Sequence, residues 1–161
     1  MTKIIMTCGN IGTGKSTTAK EILSTLKAGE YFVWSVDSIA QALSSGIYDV
    51  SIWTAKHKEV YDNLKAQLVA SSNKIKNLTI ILDDCHMSRQ ERKKWVDLAK
   101  SMKYSIHLIV HKASNNVDNR MIADDRGYIK DTWNKISDMF ASEWDEPSEQ
   151  EGFDSITMKQ I

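Results

Sequence analysis

Residues 8–17 read Cys8-Gly9-Asn10-Ile11-Gly12-Thr13-Gly14-Lys15-Ser16-Thr17 and contain the spacing Gly-x-x-x-x-Gly-Lys-Ser. An apolar run, Ile4-Ile5-Met6, precedes the motif, and a helix-forming stretch, Ala19-Lys20-Glu21-Ile22-Leu23, comes after it. Strand, glycine loop and helix in that order form the context in which this spacing cradles phosphate. Gly9, Gly12 and Gly14 let the backbone turn its N–H groups toward phosphate oxygens. Lys15 brings a positive charge to the outer phosphates, and Ser16 offers a hydroxyl to Mg2+. The N-terminal end of the next helix adds its partial positive charge. Residues 9–17 are therefore the expected nucleotide-binding residues: Gly9, Asn10, Ile11, Gly12, Thr13, Gly14, Lys15, Ser16 and Thr17.

The rest of the chain fits a parallel sheet. Apolar runs alternate with amphipathic segments, which reads as α/β. Strands are expected at 3–8, 31–36, 78–83 and 105–110, with a fifth at 155–161. Helices are expected at 15–26, 38–43, 54–70, 88–102 and 128–143. Ser88 followed by Glu91 has capping-box spacing. Trp95, Leu98, Ala99 and Met102 then recur on one helical face, with basic residues opposite. The 161 residues suit one domain, and neither a repeat nor a low-complexity linker interrupts them.

Composition narrows the setting. The 21 basic and 21 acidic residues cancel, which argues against a protein that coats nucleic acid through charge alone. Basic residues crowd 89–103 and acidic residues crowd 138–154; each cluster reads first as a solvated face. No apolar run approaches the ~20 residues of a membrane span. The N-terminal apolar stretch leads straight into the glycine loop, unlike a signal peptide, so the cytoplasm is the expected compartment. Cys8 and Cys85, the two cysteines, are then expected as reduced thiols. The four histidines lack metal-ligand spacing.

In parallel sheets ligands bind beyond the carboxyl ends of the strands. That rim should carry the glycine loop, Asp37, Asp83-Asp84 and the segment after Val110. Asp37, at the end of the second expected strand, is a candidate general base for a hydroxyl attacking the terminal phosphate. Its structural alternative is a helix N-cap. Either Asp83 or Asp84 should face the nucleotide and hold Mg2+ or its waters, with Asp84 taken first and Ser16 as the second metal-side residue. The polar segment 114–128 contains Arg120 and Arg126, which would place positive charge over the migrating phosphoryl group from a closing lid.

These residues resemble those of the kinase domain of polynucleotide 5′-hydroxyl kinases, both phage enzymes and animal repair enzymes. The likeness runs nearly the full length. It includes the early loop Gly9–Thr17, Asp37, the turn Asp84-Cys85-His86 and the basic stretch Arg89-Gln90-Glu91-Arg92-Lys93-Lys94-Trp95. It continues in Asn119-Arg120 and in Glu146-Pro147-Ser148-Glu149-Gln150-Glu151-Gly152-Phe153. The resemblance implies a P-loop kinase fold: a mainly parallel sheet of about five strands, flanking helices and a helical lid. It implies ATP as phosphate donor, Mg2+ and a 5′-hydroxyl end of DNA or RNA as acceptor. Asp37 would take the hydroxyl proton, Lys15 and Arg120 would stabilise the γ-phosphoryl group, and Arg92 would support a strand or face solvent. Two positions depart from the family: Ala40 stands where phage enzymes carry an arginine against the acceptor's phosphate, and Asn116 where a second lid arginine is common. Two other readings stay open. One is a kinase of a nucleoside, sugar, antibiotic or hydroxymethylated base; the other is a nucleotide-binding regulatory module.

Overall fold

The computed structural model describes residues 1–43, 55–112 and 130–159. In chain order these form β1 (Lys3–Cys8), α1 (Lys15–Leu23), β2 (Tyr31–Trp34), α2 (Val36–Leu43), α3 (Ala55–Ser72), β3 (Thr79–Leu82), α4 (Arg89–Met102), β4 (Ser105–His111), α5 (Lys130–Ser142), a 3-10 turn (Glu149–Glu151) and β5 (Ser155–Lys159). The strands form one sheet in the order β2-β3-β1-β4-β5. Every pairing is parallel, with Met6 beside Leu82 and Cys8 beside Val110. Every strand therefore ends on the same rim. The α/β class, the five-stranded parallel sheet and the P-loop kinase architecture expected from sequence are all present.

Burial explains the strand sequences. β3, Thr79-Ile80-Ile81-Leu82, is buried at every position, as a strand covered on both faces must be. Ile4, Met6, Leu82, Ile106, Leu108 and Val110 form the centre of the core. Trp34 of β2 meets Trp95 of α4 edge-on at 6.0 Å and 71°, a geometry that adds about 1 kcal/mol beyond area burial. Lys65 of α3 caps the same indole from 4.0 Å. Among the described residues no helix is long and apolar enough to cross a membrane.

Helix α1 ends at Leu23 rather than at residue 26, and the junction of β2 with α2 differs from expectation for a specific reason. β2 stops at Trp34 rather than at residue 36, and α2 begins at Val36 rather than at residue 38. The Val36 N–H donates to Asp84 Oδ1 at 2.8 Å, while the Asp83 N–H donates to Trp34 O, also at 2.8 Å. The acidic pair after β3 thus ends the neighbouring strand and starts its helix. Asp37 lies in the first turn of α2, not at a strand end.

α4 begins as its sequence predicts. Ser88 accepts from the Glu91 N–H at 3.2 Å and the Ser88 N–H donates back to Glu91, a complete capping box. Arg92 overturns the solvated-face reading. Its side chain is fully buried, and its guanidinium donates to Glu151 Oε2 at 2.8 Å and Oε1 at 2.9 Å. It also donates to the backbone oxygens of His86, Met87 and Asp145. Arg92 therefore neither faces solvent nor reaches a nucleic-acid strand. Several C-terminal acids are likewise structural: the Arg89 N–H donates to Asp145, and the Ile106 N–H to Asp154.

Candidate active site at the strand-end rim

The loop between β1 and α1 has the shape its glycines allow. Gly9, Gly12 and Gly14 all take positive φ. At Gly9 a side chain has no room: a Cβ would sit 2.6 Å from His111 O. Gly14 caps α1 in a left-handed conformation, and no side-chain cap among the described residues bonds the N–H groups of the first turn. α4, by contrast, has its N-terminus closed by a capping box. The α1 N-terminus thus keeps its donors for a ligand, and those donors favour an anion.

Lys15 is buried and its Nζ donates to Asn10 O at 2.6 Å, so the ammonium folds back across the loop. Thr13 Oγ1 donates to the same carbonyl at 2.8 Å. Asn10 Oδ1 accepts from the Ile11 N–H, while its Nδ2 donates to Ser137 O at 3.0 Å, tying the loop to α5. Ser16 and Thr17 are exposed at the start of α1.

Asp83 and Asp84 have different roles. Asp84 Oδ1 is engaged with the Val36 N–H. Asp83 Oδ1 is buried and has no hydrogen-bond partner among the described residues. Thr7 of β1 braces this turn by donating to Leu82 O at 3.1 Å and Asp84 O at 3.2 Å. His86, two residues beyond Asp84, is buried and donates from Nδ1 to Thr7 O at 2.8 Å. Burial pushes its imidazole down to about 4, so it is neutral and cannot serve as a base near pH 7. Burial likewise pushes the Cys8 thiol up to about 12, against the lowering influence of Arg92 and Lys15. Cys8 is therefore no nucleophile.

His111, which has no metal-ligand spacing in the sequence, ends β4 against the loop. Its Nδ1 lies 2.8 Å from Thr13 O, and its Nε2 is buried with no partner among the described residues. The sequence does carry a signal for it: a polar residue closing an apolar strand at the binding rim.

Of the residues expected at the site, the structure gathers the loop, Asp83 and Asp84 on one rim, and the backbone of Asp37 begins α2 beside them. Arg120, Arg126 and the expected lid at 114–128 lie outside the described residues. A cleft of about 360 Å3 opens near Asp37, lined by Val33, Ser35, Ser38, Ile39, Ala42 and Leu64.

The family described as AAA domain matches residues 4–124, most of the chain. The chain belongs to that family. Solved structures share its fold at low identity. Kti12 of Chaetomium thermophilum, in complex with ADP-AlF3, is 17% identical with a TM-score of 0.62, over 98% of this chain and 88% of that one. A chain of the Pnkp1/Rnl/Hen1 RNA repair complex is 15% identical with a TM-score of 0.63, over 87% of this chain and 44% of that one. A gluconokinase from Sinorhizobium meliloti 1021 is 16% identical with a TM-score of 0.53, over 99% and 82%. At these identities the likeness is one of fold. No curated protein matches the sequence.

Proposed function

We propose that this family member is an ATP-dependent phosphotransferase with an alcohol acceptor, a 5′-hydroxyl end of DNA or RNA being the first substrate class. One observation carries the reading: a glycine loop with positive φ ends in a helix whose N-terminal donors no side chain caps, with Lys15 buried beside them. A triphosphate is the ligand that such donors and such a cation fit.

In this reading Lys15 leaves Asn10 O for the β- and γ-phosphates. Asp37 accepts the proton of the acceptor hydroxyl as that oxygen bonds to the γ-phosphorus and the bond to the bridging oxygen of ADP breaks. Arg120 and Arg126 supply charge to the moving phosphoryl group. The residues also fit Mg2+. Mg2+ characteristically keeps waters and takes few protein ligands, and the buried Asp83 Oδ1 has no partner among the described residues. Ser16 would hold it directly. Asp83, with its unpartnered Oδ1, replaces Asp84 as the carboxylate on the metal side; Asp84 instead positions α2 and with it Asp37. Mg2+, when bound, would neutralise charge on the phosphates. Cytoplasmic residence belongs to the same reading, with Cys8 and Cys85 not linked to each other.

A second reading, a small or uncharged acceptor, is favoured by α2 itself. Val36–Leu43 contains neither lysine nor arginine, and the cleft beside it is lined mainly by apolar side chains. Among the described residues that line the cleft, none carries a positive charge for an acceptor phosphate.

The test is to incubate the protein with γ-labelled ATP, Mg2+ and a panel of 5′-hydroxyl DNA, 5′-hydroxyl RNA, 3′-nucleotides, nucleosides and sugars. Label on an oligonucleotide 5′ end supports the first reading, and label on small acceptors alone supports the second. ATP binding without transfer would reduce the chain to a regulatory module. Asp37→Asn is expected to keep ATP affinity and lose transfer by at least about a hundredfold. Near-normal turnover in that variant removes Asp37 from the base role. Lys15→Ala should weaken both binding and turnover.

A further inference from the structure

We propose that His111 is a positioning residue of the nucleotide site, whose Nε2 accepts a hydrogen bond from a Mg2+-bound water while its Nδ1 holds the loop. The inference rests on the nucleotide reading above.

The tautomer is set by chemistry. Thr13 O is a carbonyl and only accepts, so the hydrogen on His111 must be at Nδ1. Neutral imidazole then has a bare lone pair at Nε2. That atom is buried, the residue is 2% exposed, and no donor among the described residues reaches it. A buried acceptor without a donor is destabilising, so its persistence calls for a ligand or a water.

The sheet order sets what surrounds this nitrogen. β1 lies between β3 and β4, so Asp83 and His111 flank the root of the loop from its two sides. Each presents a buried, unpartnered acceptor: a carboxylate oxygen and an imidazole nitrogen. The histidine also lies in the field of Lys15, Lys159 and Asp83. Phosphate oxygens are themselves acceptors and cannot satisfy either atom. A water on a divalent cation carries two polarised O–H donors and is drawn to this place by the phosphates. Thr13 connects the two ends of the device. His111 Nδ1 holds its carbonyl, and its hydroxyl holds the Asn10 carbonyl on which Lys15 rests. Hydration of the metal is thereby coupled to the posture of the loop.

The test uses ADP with Mg2+ and ADP with EDTA as probes of the full chain. In wild type, Mg2+ should tighten ADP binding by isothermal titration. His111→Leu removes the bond to Thr13 O as well as the Nε2 acceptor, so it is expected to weaken ADP binding without Mg2+ and, beyond that, to lose about tenfold of the Mg2+ increment. His111→Gln, which retains an acceptor, should recover most of the increment. Equal losses with and without Mg2+ would mean only a damaged loop and would overturn the proposal. The unmodified protein gives an independent readout. The 15N resonance of His111 Nε2 should remain that of an unprotonated nitrogen and move on adding Mg2+ with ADP, but not ADP with EDTA. A resonance that ignores Mg2+ overturns the proposal while leaving nucleotide binding intact; failure to bind ADP at all overturns the nucleotide reading itself.

Discussion

His86 has its imidazole buried in a left-handed turn, φ 45, with its Nδ1 donating to Thr7 O. Burial lowers its titration to about 4, against about 6.5 in an unfolded chain. Between these values the unfolded chain binds a proton that the native chain refuses. The contribution of His86 to stability is therefore whole above pH 6.5 and falls as pH drops toward 4, by on the order of 3 kcal/mol. Urea midpoints measured from pH 7 to pH 4 should decline more steeply for wild type than for His86→Asn, a residue that tolerates the same φ and does not titrate. Parallel curves would contradict the assignment. Cys8 makes a second prediction at this scale. With its thiol held near 12, it should resist iodoacetamide at pH 8 in the folded protein and react once urea unfolds the chain; rapid labelling of Cys8 in the native state would show the thiol to be accessible and ionised.

Among elements, the joint between α4 and the C-terminal 3-10 turn depends on one buried ion pair, Arg92 with Glu151, their side chains 0% and 3% exposed. Deleting one partner strands a charge, so Glu151→Ala should cost about 3–5 kcal/mol, read as a lower urea midpoint; a change below about 1 kcal/mol would show the pair to be dispensable. Because Arg92 also holds the His86 and Met87 carbonyls, the loosened turn is the one just after Asp83 and Asp84. This joint was half legible in the sequence. Arg92, Trp95, Val96 and Ala99 are the buried positions of α4, and their spacing alone would have put Arg92 on the inner face; its run of basic neighbours hid it. The Ser88–Glu91 box was fully legible, because a cap is a code contained in four adjacent residues. The end of β2 was not, because it depends on Asp84, which arrives from another strand 48 positions away. The two unpartnered atoms at Asp83 and His111 were invisible for a related reason: only the strand order brings them to the same loop.

For the whole molecule, a nucleotide that binds the native state alone should stabilise it. At a hundredfold excess over Kd the gain is about 2.7 kcal/mol, or roughly 5–10 °C in Tm for a chain of this size. A thermal melt with Mg2+ and ATP should show this shift, and Lys15→Ala should reduce it; no shift at saturating ATP would remove the nucleotide site. The overall plan was evident from sequence because a parallel sheet repeats one apolar signal per strand, whereas acceptor choice depends on segments with no such periodicity. The sheet's shared polarity has a further consequence. Every strand ends at the same edge of the scaffold, while Ile4, Met6, Leu82 and Leu108 lie in the core beneath it. On the proposed reading, descendants of such a chain could exchange one acceptor for another by rewriting segments at that edge, with the phosphate grip inherited and unaltered.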